Sequence, residues 1–271
     1  MQKNNPLVSV IMPAYNAEEY IRTAIESILE QTFKDFEFII VNDCSTDSTL
    51  KIIEGYAKKD KRIKIISNKE NQRIAKTLNN ALKEAKGKYV ARMDADDWSY
   101  PDRIEKQVKL MEENPDISIS SGNMEICDGN LKVVNISRYP TSNKDIRKVY
   151  MQYNPTVSPA MIWRREFSEE IGGFRPETMS EDYMFFMDMS SKGEVANLKD
   201  ILIKYRVLKT SASSTQMRRA HLSTIQIALT AYLKYNYPLT FKTRIIMMGR
   251  FIIAFLIPSS VWRFISSNLR R

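Results

Sequence analysis

Glycine, histidine and cysteine are all scarce in this chain of 271 residues, which has 8 glycines, one histidine (His221) and two cysteines, Cys44 and Cys127. No Gly-x-Gly-x-x-Gly and no Gly-Lys-Ser/Thr loop occurs, which counts against dinucleotide oxidoreductases and P-loop NTPases. A single histidine leaves almost no room for a histidine-based triad or a multi-histidine metal site. The cysteines lack zinc spacing, argue against a disulfide scaffold and fit a reducing cytoplasm. Residues 1–6 are polar, with no signal-peptide core, so the start of the chain is expected to stay in the cytosol. Acidic residues stop at Asp200: residues 201–271 carry 12 lysines and arginines and no acid. The first 200 residues hold the other 29 basic and all 32 acidic side chains, a balance of −3, so the net +9 belongs to the tail. Such asymmetry points to an anionic partner surface, membrane or nucleic acid.

The remaining composition, 43% hydrophobic and 27% charged, is that of a globular protein, with length for one large domain or one domain plus an appendage. Over residues 1–115 two textures alternate. Apolar runs at 7–12, 36–41, 63–66 and 89–93 read as strands. Helical periodicity covers 17–30, 46–58, 75–86 and 101–114, with Asn16 as an expected N-cap and Glu19 as its capping-box acid. Strands alternating with helices of 10–15 residues predict βαβ units, a mainly parallel sheet and an α/β fold. Right-handed crossovers then put every strand-to-helix turn on one edge, where ligands of open α/β sheets bind. From 117 to 139 the texture becomes short strands around a turn at 127–130. Helix follows at 181–191, strand at 201–207, and helices from about residue 215.

The strand at 89–93 runs into Asp94, Ala95, Asp96 and Asp97. Three clustered carboxylates repel and raise one another's pKa unless a cation or donors lie between them. Mg²⁺ and Mn²⁺ take oxygen ligands, commonly one or two carboxylates plus substrate phosphates. The cluster therefore suggests a metal–diphosphate site at a strand's carboxyl end. An acidic turn or helix start is the plainer alternative.

Residues 8–15, the run Val41-Asn42-Asp43-Cys44-Ser45-Thr46-Asp47-Ser48-Thr49, and residues 89–103 together resemble the family 2 inverting glycosyltransferases. The match in order and spacing covers roughly 7–127 and resumes weakly at Glu181-Asp182 and Tyr205-Arg206. The resemblance implies a GT-A nucleotide-binding fold and glycosyl transfer from a nucleotide-sugar. It implies that Asp43 reads the nucleobase, commonly uracil, and that Tyr15 lies along the nucleotide; an N-cap for Asp43 and plain packing for Tyr15 are the alternatives. Pro13 and Asn16 shape the turn and Asp47 acts as a cap. Asp94 with Ala95 would lie at the donor, near the ribose. Asp96 would be the metal ligand for Mg²⁺ or Mn²⁺, with Asp97 as a third carboxylate beside it.

Inverting transfer is a single displacement, so the acceptor hydroxyl needs a base. The resemblance gives that role to Asp182, beside Glu181; an acid favoured by a helix N-terminus is the alternative. Gly172-Gly173-Phe174 is expected to be a flexible loop bordering the acceptor. The chain departs from the family in two places. Leu208 stands where a histidine often follows Tyr-Arg, which leaves Arg206 or Lys209 to hold phosphate. Asn71-Gln72-Arg73 replaces the frequent Asn-x-Gly, and Arg73 either reaches a phosphate or is simply exposed. The Gln-x-x-Arg-Trp of processive synthases is absent, which favours one sugar per encounter.

The run 251–262 is free of charge, flanked by Arg250 and Arg263 and interrupted by Pro258. It is shorter than the ~20 residues of a spanning helix. A basic amphipathic element in the membrane interface, helped by Trp262, Phe264, Arg270 and Arg271, fits it better; a hairpin packed on the catalytic domain or in a dimer is the alternative. The expected organisation is a GT-A catalytic domain at 1–212, divided into a nucleotide-sugar half (1–115) and an acceptor half (116–212). A helical, basic, membrane-associating region (213–271) follows. The expected activity is transfer from a nucleotide-diphosphate sugar, UDP-linked, to a hydroxyl of a glycan or lipid-linked acceptor in bacterial surface polysaccharide assembly. The protein would lie peripherally on the inner face of the cell membrane, with no nucleic-acid partner and with a homodimer left open. A non-catalytic sugar-nucleotide binder and a sugar-phosphate nucleotidyltransferase are the rival readings.

Overall fold

The structure, a computed structural model, describes residues 5–177, 180–208 and 217–256. Its first half alternates β1 (Val8–Ala14), α1 (Ile21–Leu29), β2 (Phe36–Asn42), α2 (Thr49–Ala57), β3 (Ile63–Ser67), α3 (Arg73–Glu84) and β4 (Tyr89–Arg92). After these come β5 (Trp98–Ser99), α4 (Arg103–Glu113), β6 (Ile117–Cys127), β7 (Val133–Ser137), α5 (Asn143–Val149), β8 (Ile162–Arg164) and α6 (Arg165–Glu170). The chain continues with α7 (Glu181–Met189), β9 (Glu194–Arg206), α8 (Met217–Tyr235) and α9 (Phe241–Leu256).

One curled sheet takes the order β3-β2-β1-β4-β8-β6-β9-β5, with β7 on β6. Strands β3, β2, β1 and β4 are mutually parallel, as βαβ alternation requires. Beyond β4 the sheet is mixed: β8 runs antiparallel to both β4 and β6, while β9 lies parallel to β6.

Parallel strands are covered on both faces, so they read as continuous apolar runs. Within β1 the period of two still sorts the residues. Val8, Val10 and Met12 join Phe36, Phe38 and Ile40 under α1, α2 and α4. Ile11, Ile39 and Val41 face the other way, toward α3 and α7. α1 buries Ile21, Ala24, Ile25 and Ile28, one helical stripe. It starts later than its periodicity suggests: Ala17 to Tyr20 form a turn, with Tyr20 N on the Ala17 carbonyl at 3.0 Å. Asn16 and Glu19 therefore do not form the expected capping pair.

α8 packs on the base of this assembly. Its Ile227, Ala228 and Ala231 join the core cluster that contains Tyr183 to Met187 of α7. Asp188 of α7 is fully buried and bridges Arg175 at 2.8 Å, with the Tyr235 hydroxyl of α8 also donating to it. No described helix is long and apolar enough to cross a membrane. Lys209 and residues 257–271, with Trp262, Phe264, Arg270 and Arg271, lie outside the described residues.

Candidate active site

Three strand-to-helix turns meet at the carboxyl ends of β1, β2 and β4, and hydrogen bonds lace the first two. Asp43 N donates to the Ala14 carbonyl at 2.8 Å, and Asn16 N to Ser45 Oγ at 3.1 Å. Asn16 Oδ1 accepts from Thr46 N at 2.8 Å, and this tertiary bond is what takes Asn16 away from capping α1. Asn16 itself is left-handed, with φ 46°. Asp47 accepts from Thr49 N at 2.9 Å and Glu18 N at 3.1 Å, the cap its position suggested. Tyr15 stands clear of this lacing and is half exposed. Pro13 lies within β1 opposite Val41, one residue before the strand ends at Ala14 opposite Asn42, so it belongs to the strand and not to the turn it was expected to shape.

Asp43 is buried, and its carboxylate serves α3. Oδ1 accepts from Asn68 Nδ2 at 2.7 Å and Gln72 N at 2.9 Å; Oδ2 accepts from Arg73 N at 2.9 Å. It is a cap, but of the second helix downstream rather than the next one. Arg73 takes φ 65°, a left-handed turn at the helix entrance, and its side chain is exposed. Oδ2 keeps a lone pair for one further donor.

Past β4, Ala95 is buried and three carboxylates crowd together. Burial and the Asp94 charge push the Asp96 pKa up to about 6. Asp97 is fully buried, and burial followed by the charges of Asp96 and Asp94 drives its pKa well above the carboxylate range. Asp97 Oδ1 accepts from Arg206 N at 2.8 Å, whereas Oδ2 has no hydrogen-bond partner. Among the described residues no three acidic, histidine or cysteine side chains are grouped tightly enough to hold a metal by themselves. The residues present nevertheless fit a hard divalent ion that draws part of its shell from phosphate. An orphaned buried carboxylate oxygen and a disfavoured Asp96 charge are what an oxygen-liganded cation would relieve.

Arg206 approaches from the end of β9. Its Nε donates to the Asp96 carbonyl at 2.6 Å, its Nη1 to the Gly129 carbonyl, and its guanidinium lies 4.5 Å from the Tyr20 ring centre. It thus holds the backbone of the carboxylate turn. Arg103, also in the 89–103 stretch, is wholly buried and donates to the carbonyls of Arg92 at 2.6 Å and Pro159 at 3.0 Å. Burial lowers its pKa to about 10.

Glu181 and Asp182 open α7, and Arg92 ties them to the carboxylate turn. Arg92, 3% exposed, donates from Nε to Asp94 Oδ1 at 2.8 Å and from Nη2 to Oδ2 at 3.3 Å. Its Nη1 lies 3.5 Å from Glu181 Oε1 and has no hydrogen-bond partner. Burial opposes the Arg92 charge, but Asp94 and Glu181 outweigh it and raise its pKa. Glu181 is pushed up to about 7 by burial and by the charge of Asp182. Asp182 Oδ2 accepts from Asn154 Nδ2 at 3.1 Å. Asn154 is oriented by its own Oδ1, which accepts from Thr156 Oγ1 at 2.6 Å and Thr156 N at 3.2 Å.

The sequence reading missed Arg92, Arg103 and Asn154. An arginine inside a buried strand is itself a signal, since such a charge needs partners. Asn154 carries no comparable mark. The loop Gly172-Gly173-Phe174 is pinned rather than flexible: Asn79 Oδ1 accepts from Phe174 N at 2.8 Å and Asn79 Nδ2 donates to the Phe174 carbonyl at 2.7 Å. Phe174 stacks on Phe185 with ring centres 4.0 Å apart, so apolar burial anchors the loop.

Residues 9–172 match the family Glycosyl transferase family 2. The chain is 40% identical over 222 residues to an uncharacterised glycosyltransferase of Haemophilus influenzae, covering 78% of this chain and 69% of that protein. It is 32% identical over 220 residues to a candidate teichuronic acid biosynthesis glycosyltransferase of Bacillus subtilis, TuaG, covering 79% and 84%. Among solved structures, S. aureus TarS 1–349 in complex with UDP superimposes with a TM-score of 0.69 at 24% identity, over 93% of this chain and 73% of that one. The mannosyltransferase PcManGT of Pyrobaculum calidifontis, in complex with GDP-Man and Mn²⁺, gives a TM-score of 0.65 at 19% identity, over 98% and 81%. At these identities the two structures speak to the GT-A fold alone.

Proposed function

The chain belongs to glycosyl transferase family 2, and we propose that it is an inverting enzyme taking a sugar from a nucleotide-diphosphate donor, UDP-linked, to a hydroxyl of a glycan or lipid-linked acceptor. The product would enter a bacterial surface polysaccharide, a reading supported by the resemblance to the TuaG protein. The enzyme would work peripherally at the inner face of the cell membrane. The observation that carries the proposal is Arg92, which joins Asp94 at 2.8 Å to Glu181 at 3.5 Å and so brings the donor carboxylates and the base pair into one cluster.

Within that cluster each residue has a task. Tyr15 offers an exposed ring face for the base, and Asp43 Oδ2 has one lone pair for a base N–H. Asp94, held by Arg92, turns its carboxylate to the ribose. Asp182, oriented by Asn154, takes the acceptor hydroxyl's proton. The freed oxygen pair forms the new bond to the anomeric carbon as the bond to the β-phosphate oxygen breaks, and the nucleoside diphosphate leaves with that pair. Asp96, with Asp97 beside it, would hold Mg²⁺ or Mn²⁺, which when bound neutralises charge on the diphosphate. Arg206 keeps the backbone of that turn in place.

The test is thermal-shift binding of UDP, GDP, dTDP and CDP, each with Mn²⁺ and with EDTA. A metal-dependent shift with UDP is expected. A shift with another nucleotide would reassign the donor, and none with any nucleotide on folded protein would overturn the reading. Asp182→Asn should bind UDP normally and lose transfer; retained turnover would remove Asp182 as the base.

A further inference from the structure

α9 is amphipathic in the inverted sense. Phe241, Ile245, Met248 and Ile252 recur at helical spacing and are 46–80% exposed. On the opposite stripe Thr243 and Ala254 are buried and Met247 packs on the core. Arg250 shares that inner stripe. Its Nη2 donates to the Gln152 carbonyl at 3.0 Å, and its Nη1 lies 3.2 Å from His221 Nδ1. A surface helix in water carries its apolar stripe inward. Leu229, Tyr232 and Leu233 of α8 are exposed as well, Leu233 by 77%. Residues 217–256 hold six lysines and arginines and no acid, and Lys242 and Arg244 stand exposed beside the apolar stripe.

We propose that this outward face of α9 docks on an anionic lipid surface. An apolar stripe bordered by bases suits the headgroup–acyl boundary of such a bilayer. A second copy fits less well, because a two-fold interface would set basic surface against identical basic surface. The inference rests on the reading of a membrane-held acceptor and adds where the membrane lies. The Gln152 carbonyl held by Arg250 is two residues from Asn154, whose amide reaches Asp182 at 3.1 Å. One short segment therefore joins the docking helix to the base.

The experiment is flotation of the full chain with phosphatidylcholine vesicles, with and without phosphatidylglycerol, alongside sedimentation and UDP thermal shift. Binding only to the anionic vesicles is expected. It should fall at least tenfold in Ile245→Glu/Met248→Glu and in Lys242→Glu/Arg244→Glu, with the UDP shift unchanged. These side chains are exposed, so the variants should fold. No flotation with anionic vesicles, or equal flotation of Ile245→Glu/Met248→Glu, would overturn the proposal. A wild-type dimer that this double variant dissociates, without vesicle binding, would also overturn it and give the face to a second copy. UDP binding without flotation would sink the docking surface alone; flotation without nucleotide binding would sink the donor reading alone.

Discussion

Arg92 and Glu181 lie 3.5 Å apart, from the end of β4 to the start of α7, while the same guanidinium holds Asp94 at 2.8 Å. A buried cation shared by two carboxylates keeps both near the cleft. Without it, like charges would be left facing each other.

Arg92→Lys should therefore fail as a conservative change. An ammonium cannot hold both Asp94 oxygens and still reach Glu181. We expect kcat to fall about 100-fold or more, on the scale of losing a positioned catalytic group. Steady-state kinetics with the donor found by thermal shift checks this, and a Lys variant within threefold of wild type would refute it.

Asn154→Ala removes the bond that orients Asp182 but leaves the carboxylate itself. The expectation is a drop in kcat of about tenfold, with UDP binding unchanged, because misplacing a base costs rate rather than donor affinity. Isothermal titration beside initial rates separates the two. Weakened UDP binding with normal kcat would place Asn154 on the donor side.

Glu181, raised to about 7, makes stability depend on pH in a stated direction. Between its unfolded value and about 7 the folded state holds more protons than the unfolded one, so this residue's contribution declines as pH rises across that window. Glu181→Gln carries no such titration. The variant's Tm should gain on wild type from pH 5 to 7.5 and run parallel above it. A constant difference across the range would mean Glu181 is not raised.

Gly172 and Gly173 both have left-handed backbone, with φ 80° and 77°. A Cβ on Gly172 meets open space, whereas one on Gly173 would come within 2.4 Å of Asn79 Oδ1. Gly172→Ala should cost about 1–2 kcal/mol of conformational strain. Gly173→Ala should cost more, since it also displaces the amide that clamps Phe174. Denaturant unfolding of the two variants gives the order, and equal losses would show that the Asn79 clamp contributes nothing.

The helix starts show where local reading fails. Asn16 is a good capping residue by type, yet its Oδ1 goes to Thr46, thirty positions on. Asp43 caps α3 rather than α2 because Arg73 N and Gln72 N arrive at its carboxylate through the turn after β3. Each side chain has a fixed capacity for bonds, and which donors arrive first is decided by tertiary neighbours that no local pattern encodes.

Much was legible from the chain alone. Continuous apolar runs and the 3.6 period of helices are local consequences of backbone geometry, so the βαβ order and the convergence of the turns after β1, β2 and β4 could be read directly, although Pro13, Ala14 and Asn42 belong to the strands. The carboxylate cluster was legible because its cost is intrinsic to the residues. Only the tertiary structure decided that Arg92 joins Asp94 to Glu181, that Asn154 orients Asp182 and that α9 turns its apolar stripe outward. Pairing between distant segments depends on sheet order. The placing of β8 and β6 beyond β4, like the way a helix faces, comes from total burial across the molecule rather than from any one segment.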